Sequence, residues 1–581
     1  MNAAELYSTK GRYRKQDYLR RRIYNMRNKL MVGVCLILIS LLMGADSDIR
    51  LNSVGFLPNY KKEATIVKKA DKFVVVDYSD ERIVYRGEIQ GPEKQKDVGQ
   101  KIWTANFTDL NTPGEYYLKV PGVGNSVTFK IGNDVFDPVY RTVFRGFYLW
   151  RCGTAVEGEY QGSHYAHDKC HMNDAFMDYI GEKGEIRDGT GGWHDAGDYG
   201  KYIVNAGITV ANLFLAWDHF GDRFNDMNFS LPQSESEFPE FLREIKWETD
   251  WMLKMSYPDE SGRVSHKLTR TSFSPIIMPE EDDAKRYFTE WSSTATADFA
   301  AVMAMAARYF EPYDQGYAQK CLQAAKNSYD YLKQHPGYKG WKQGDFSTGA
   351  YSSKDRDDRL WAAAEMWETT GDEKYLKDFE NKVQEKFPLS RYDDKDLAGS
   401  KVDKVWDWSS VRNLGVFTYA LSVRKGRNPR LLNQIKKDII TVADKIVEDA
   451  ENDIYDRPLG DEYYWGCNGT IARQVINLQV ANMISGHEKY MDTALDAISH
   501  ILGRNYYNRS YVTGIGINPP KAPHSRRSMA DDIEDPWPGY LVGGGHSAKG
   551  WKDEAESYQT NEIAINWQAA LVYALSGFVS E

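Results

Sequence analysis

Residues 191–199 read Gly-Gly-Trp-His-Asp-Ala-Gly-Asp-Tyr and set Asp195 and Asp198 three positions apart in a glycine-rich turn. Such a pair can hold a water, one carboxylate orienting it and the other taking its proton. An N-capping Asp accounts for the same turn without any chemistry. Glu562, in Tyr558-Gln559-Thr560-Asn561-Glu562, falls where apolar periodicity predicts the first turn of the last helix. There it complements the helix dipole; buried beside other carboxylates, it becomes a protonated general acid. Cys152, the adjacent Cys170 and His171, and His194 supply two thiols and two imidazoles, spaced by 18, 1 and 23 residues. That donor set suits a closed tetrahedral metal site, although the spacings follow no short finger rule. A Cys152–Cys170 disulfide or buried free thiols fit the same residues.

Two kinds of sequence must position these groups. Residues 48–132 contain about seven short runs rich in β-branched and aromatic residues, among them IRLNSVGF, KFVVVDY and GEYYLKV. Turn signals such as Pro58-Asn59, Gly91-Pro92 and Pro121-Gly122 separate them, as in an immunoglobulin-like sandwich. No Cys falls in the segment, so no cross-sheet disulfide is possible there. Such a module either braces its neighbour, the favoured reading, or binds carbohydrate. From Asp134 onward, about twelve segments carry apolar residues at three-and-four spacing, and long loops cover 152–195, 257–291 and 505–558. Without strand alternation, this predicts helix pairs closed into an α/α barrel. The expected organisation is a leader over 1–45, a β-sandwich over 46–133 and a mainly α catalytic domain over 134–581.

GGWHDAGDYGKY, the block SYVTGIGINPPKAPHSR from Ser510 to Arg526, and YQTNEIAINW together resemble glycoside hydrolase family 9. IRLNSVGFLP resembles the immunoglobulin-like domain that precedes the barrel in one subgroup. The resemblance implies an (α/α)6 barrel and an inverting β-1,4-glucanase. It implies Asp198 as catalytic base, Asp195 as its partner on the water and Glu562 as general acid. It also implies sugar contacts at His524, Arg526, Tyr558 and Trp465, with His524 and Arg526 donating to hydroxyls, and a structural zinc on Cys152, Cys170, His171 and His194. Calcium is frequent in that family, but no calcium ligands are assigned, and Pro279-Glu280-Glu281-Asp282-Asp283 reads as a solvated charge run. Trp341, Trp408 and Trp465 are each equally read as core or as sugar platform. His164 and His167 read as loop histidines, and Cys321 and Cys467 take no role. Glu556, Ser525 and Gly543-Gly544-Gly545-His546 depart from the family pattern along the cleft. They leave the preferred glucan open among cellulose, mixed-linkage glucan and xyloglucan. An exo-acting enzyme of the same fold and a non-catalytic glycan-binding protein are the competing readings.

Composition agrees. The 581 residues carry a net charge of −10 and 13% aromatic residues. An acidic chain rich in Trp and Tyr lacks the clustered Lys and Arg that phosphate contact needs, so nucleic acid is excluded as a partner. Leu30 to Met43 is an uncharged apolar run of 14 residues, too short to span a bilayer and suited to a signal-peptide core. Met26 reads as the start of that signal, and Cys35 lies inside the run rather than at a lipidation site. Residues 1–45 hold nine Lys or Arg and two Asp or Glu, so removing them takes the net charge to −17. The expectation is an exported monomer without a transmembrane span, acting on a β-glucan.

Overall fold

The computed structural model describes residues 47–580 apart from 96, 235–237 and 388–394. The leader, with Met26 and Cys35, lies outside the described residues.

Among the described residues, nine strands form the N-terminal sandwich: β1 Ile49–Arg50, β2 Gly55–Phe56, β3 Glu63–Ile66, β4 Lys72–Asp77, β5 Ile83–Gln95, β6 Gln100–Asn106, β7 Gly114–Val120, β8 Gly124–Asn125 and β9 Phe129–Ile131. One face runs β1-β3-β6-β5 and the other β5-β4-β7-β9-β2, with β8 on β7. Long β5 belongs to both: Ile83 to Glu88 pairs with β4, and Ile89 to Gln95 pairs with β6. The crossing, between Glu88 and Ile89, is followed by an irregularity between Gln90 and Glu93, where Gly91 has φ +120° and a Cβ would stand 2.9 Å from the Ile102 carbonyl. Alternating residues such as Ile66, Phe73, Val75, Phe107, Leu118 and Phe129 fill the space between the faces. The run IRLNSVGF, which reads as one strand, is two. Asn52 Oδ1 accepts from the N–H groups of Val54 and Gly55 at 3.1 and 3.4 Å, turning the chain from one face to the other.

Among the described residues, twelve helices of ten or more residues follow: α1 Asp137–Leu149, α2 Ile203–Phe220, α3 Glu240–Lys254, α4 Ser293–Phe310, α5 Gln315–Gln334, α6 Arg356–Thr370, α7 Glu373–Lys382, α8 Arg412–Leu421, α9 Pro429–Glu451, α10 Cys467–Ser485, α11 Glu488–Ile501 and α12 Ile565–Ser576. Even-numbered helices form an inner ring, odd-numbered ones an outer ring. Inner helices are buried almost all round: every residue of α12 is buried, and α4 packs closely through Ala300, Ala301, Ala304 and Ala306. Outer helices show one apolar stripe, as in α9 with Leu431, Ile435, Ile439, Val442 and Ile446. Contacts run α2–α4–α6–α8 and α10–α12–α2. The gap between α8 and α10 is bridged by Asn413 Nδ2 donating to Asn477 Oδ1 at 3.2 Å. The last helix thus lies against the first inner one. None of the described helices is long and apolar enough to cross a membrane.

Arg504, after α11, ties barrel to sandwich. It meets Asp456 at 2.5 Å, Asp496 at 3.1 Å and Glu63 of β3 at 3.2 Å, and donates to Thr65 at 3.1 Å. Lys61 reaches the same three carboxylates from a more open position, its side chain 29% exposed against 3% for Arg504. These two cations neutralise the only acidic trio among the described residues whose oxygens gather as a cation site would require. Arg504→Ala leaves three carboxylates facing one another, and we expect it to destabilise the protein by about 3–5 kcal/mol. Lys61→Ala should cost about 1 kcal/mol, because solvent screens it. Denaturant unfolding of both variants measures this; equal losses would contradict the account.

Candidate active site

Outer helix α3 fixes the loop that carries the two aspartates. Glu248 accepts from the Trp193 backbone N–H at 2.6 Å, and Glu244 accepts from its indole N–H at 2.9 Å. Arg151 neutralises Glu244 through bonds of 3.1 and 2.7 Å. Beyond Trp193 the chain turns Asp195 and Asp198 into one cleft. Asp195 accepts from the Asn205 amide at 2.7 Å and from the Tyr351 hydroxyl at 2.6 Å. Burial, and after it the charge of Asp198, push the Asp195 carboxyl up to about 8 despite those two donors. Asp198 Oδ2 accepts from the Gly200 N–H at 2.9 Å and from the Tyr202 hydroxyl at 3.2 Å. Gly197 has no room for a side chain, because a Cβ would strike the carbonyl and ring of His524.

Glu562 arrives from the far end of the chain, 364 residues after Asp198. Its position differs from the one its sequence suggests. It follows a single helical turn, Tyr558–Asn561, in extended backbone (φ −70°, ψ 155°), and α12 begins only at Ile565. No first-turn dipole therefore acts on it. Instead the segment is clamped as a short strand: Glu562 bridges to His524, Ile563 to Val542, and Gly543 N–H donates to the Glu562 carbonyl at 2.9 Å. Buried Asn561 locks the clamp, giving to the Ala522 carbonyl at 2.5 Å and accepting from the Trp551 indole at 3.1 Å. Surrounding protein, then the charges of Asp198 and Asp195, hold the Glu562 carboxyl well above the usual carboxylate range; Arg526 and the Gly197 N–H pull the other way.

The three carboxyls open on a cleft of about 510 Å³ whose walls include Tyr202, Phe273, Tyr351, Trp408, Trp465 and Trp567. Trp465 and Tyr558 keep 44% and 46% of their surface in solvent and meet edge to face at 5.4 Å. So much aromatic surface left wet offers a platform for a flat, partly apolar ring. Trp408 lines the cleft against Tyr351. Trp341 does not, being stacked on His266 at 5.3 Å.

His524 and Arg526 stand beside this cleft rather than on its wall. His524 Nδ1 donates to the Ala555 carbonyl at 2.6 Å, and burial lowers the ring's pKa, which favours the neutral tautomer with Nε2 as an acceptor. Arg526 donates through Nη1 and its own N–H to the Gly197 carbonyl, at 2.7 and 3.1 Å, and through Nε to the Ser274 carbonyl at 2.8 Å. It braces the aspartate loop directly.

Cys152, Cys170, His171 and His194 are brought together, with one donor atom from each within 4.8 Å of all the others. The cysteines are free thiols rather than a disulfide. His171 turns Nδ1 inward, 3.5 Å from Cys152 Sγ and 3.4 Å from His194 Nε2, and its Nε2 lies 3.4 Å from Asp282. A metal-binding imidazole backed by a carboxylate is the arrangement that fixes tautomer and ring orientation. Asp282 was expected within a solvated charge run; it is buried and also takes a 2.6 Å bond from Arg270, while Glu280, Glu281 and Asp283 remain exposed. His167 lies in a hairpin, Val156–Tyr160 with Ser163–His167, its ring 6.5 Å from that of His194, and His164 pairs with Glu157 at the surface.

Tyr202, Tyr351 and Phe273 are cleft residues that the sequence did not single out. Tyr202 follows the aspartate motif closely enough to have been a candidate. Tyr351 lies 156 residues from Asp195 with no local pattern around it.

Comparison with known proteins agrees with this geometry. The model of glycosyl hydrolase family 9 matches residues 136–575, and that of the cellulase N-terminal Ig-like domain matches residues 45–125. Endoglucanase D of Acetivibrio thermocellus is 53% identical over 92% of this chain and 84% of its own. A xyloglucan-specific endo-β-1,4-glucanase of Bacteroides ovatus is 33% identical over 90% of this chain and 92% of its own. Among solved structures, a Bacteroides ovatus GH9 protein superposes with a TM-score of 0.84 at 32% identity, covering 92% of this chain and 99% of its own. A Zn-binding triple mutant of the family 9 endoglucanase J30 gives 0.82 at 30% identity, covering 90% and 99%. The chain belongs to glycosyl hydrolase family 9 and is a glycoside hydrolase with an N-terminal immunoglobulin-like domain.

Proposed function

We propose that this hydrolase is an inverting endo-β-1,4-glucanase, with Asp198 as general base, Asp195 as its partner on the water and Glu562 as general acid. One observation carries the reading: three carboxyls from the two ends of the barrel share one open aromatic cleft, where burial and neighbouring charges raise the Glu562 carboxyl well above the usual carboxylate range. In the reaction, Asp198 takes a proton from a water as that water's oxygen bonds to the anomeric carbon. Glu562 gives its proton to the glycosidic oxygen as the old bond breaks, and the new hydroxyl lies on the opposite face of the ring. Asp195, itself neutral near pH 7, orients the water without adding a second charge. Trp465 and Tyr558 would stack on sugar rings, and His524 Nε2 would accept from a hydroxyl. The names of the relatives support a cellulose- or xyloglucan-type backbone as substrate.

Asp198→Ala and Glu562→Ala should each lower polysaccharide hydrolysis by about 10²–10⁴-fold. On dinitrophenyl β-cellobioside, whose leaving group needs no proton, Glu562→Ala should retain far more activity than Asp198→Ala. Similar losses on both substrates would sink the acid assignment. Chromatography of early products from a soluble mixed-linkage glucan tests the mode of action: a spread of oligosaccharides is expected, whereas monomer alone would mean exo action and no product a binding protein.

The Cys-His cluster is proposed to hold structural zinc. For bonds of about 2.05 Å to nitrogen and 2.3 Å to sulfur, a tetrahedron has edges of about 3.3 Å between nitrogens and 3.6 Å between nitrogen and sulfur. The His171–His194 and Cys152–His171 separations of 3.4 and 3.5 Å fit these edges, and that of Cys170 to His194, 4.0 Å, is slightly longer. With four protein ligands no position remains for a substrate, so the ion would pin His194 and, through it, the neighbouring Asp195. Purified protein should contain about one zinc per chain and Cys170→Ala much less, with a lower melting temperature. A full equivalent in that variant would disprove the site. Export is proposed from the apolar run Leu30 to Met43, with cleavage near Ala45. N-terminal sequencing of protein collected outside the cytoplasm checks it; an intact leader there would count against cleavage.

A further inference from the structure

Lys267 has no assigned task, yet it is a fully buried cation beneath the cleft. It opens a short strand, Lys267–Thr269, paired in register with Tyr202. Its ammonium gives three hydrogen bonds: 3.0 Å to Gln343 Oε1, 3.0 Å to Thr348 Oγ1 and 2.8 Å to the Gly349 carbonyl. All three acceptors are neutral, and the rings of Tyr202, Trp341 and Phe346 surround it at 5.0–5.7 Å. Burying a cation without an ion-pair partner is costly, and an apolar side chain of similar length would pack there at less expense. A structural role alone therefore explains the residue poorly.

Its hydrogen bonds lead to the carboxylates. Gly349, whose carbonyl Lys267 holds, donates its N–H to the Tyr202 hydroxyl at 3.1 Å, and that hydroxyl donates to Asp198. Two residues on, Tyr351 of the same loop donates to Asp195. Gln343 and His266 add support, bonding to the carbonyls of Thr348 and Ala350 at 2.6 and 2.7 Å. Burial lowers the lysine to about 7, and the opposing field comes from Asp198. Neighbouring His266 is neutral, held down at about 3 by burial. Asp195, Glu562 and His524 also feel the charge of Asp198, and Arg526 donates through Nε and Nη1 to the Ser274 and Gly197 carbonyls.

We propose that Lys267 is a positioning residue for the hydrolytic pair. Its ammonium fixes the loop of residues 348–351, and hence the Tyr202 and Tyr351 hydroxyls, against Asp198 and Asp195, and it sets a buried positive charge on the Asp198 side of the cleft. The inference rests on the assignment of Asp198 as base.

Lys267→Met is expected to lower kcat by about 10- to 100-fold through misplaced groups, with KM changed less than about threefold. The acidic limb of the kcat/KM–pH profile should move to higher pH, because removing a nearby cation disfavours the ionised base. Lys267→Gln, which keeps a donor toward Gly349 but not the charge, should move that limb with a smaller loss of kcat. It carries the test should Lys267→Met not fold. With Tyr202→Phe, the double variant should be no worse than the poorer single one. Wild-type kcat and an unmoved acidic limb, whatever the melting temperature, would overturn the proposal, as would losses that multiply in the double variant. An active Asp198→Ala would instead overturn the base assignment itself. Normal Lys267 variants beside an inactive Asp198→Ala would remove this inference alone.

Discussion

A backbone hydrogen bond of 2.9 Å, from the N–H of Ile565 to the carbonyl of Asp195, joins the first residue of the last inner helix to the loop before the first inner helix. Its partners lie 370 positions apart in the chain. They meet because the inner ring closes, α12 lying against α2. Inner helices are buried on nearly every side, so each needs neighbours on both flanks. Closure therefore follows from burial, and the meeting of Asp198 with Glu562 follows from closure.

Once together, the three carboxyls shape one another. Like charges in a partly dry site cannot all ionise cheaply, so burial and the neighbouring carboxylates push Asp195 up to about 8 and Glu562 well above the usual carboxylate range. A carboxyl held protonated more strongly than a free one suits the proton-donor role proposed for Glu562. The protein reinforces this with donors from separate elements. Tyr202 and Asn205 come from the motif's own flank, Tyr351 from a loop between α5 and α6, and Arg526 from the segment before Glu562.

Around that centre the loops are anchored to rigid parts. Glu244 and Glu248 of α3 grip Trp193, the Cys-His cluster gathers around His194, and Arg526 grips Gly197. The grip reaches the acidic stretch as well, since Asp282 backs His171 instead of facing water. The sandwich is fastened to the barrel by charge, through Arg504 and Lys61 against Glu63, Asp456 and Asp496.

By itself the sequence determined the sandwich-plus-barrel architecture, because strand and helix periodicities are local and each element writes its own buried face. It also determined the family and pointed to the three acidic residues that share the cleft, because Gly-Gly-Trp-His-Asp-Ala-Gly-Asp and Tyr-Gln-Thr-Asn-Glu are contiguous motifs. What depends on residues distant in sequence was decided only by the tertiary structure. IRLNSVGF became two strands because an Asn52 side chain bonded the backbone beyond it. Glu562 left the predicted helical turn because Val542, Gly543 and His524 hold its segment as a strand. Tyr351 and Lys267 joined the site, and Trp341 left it, through contacts with no trace in local spacing. A hydrogen bond between groups a hundred or more residues apart is fixed by where packed elements place them, and periodicity carries no information about that.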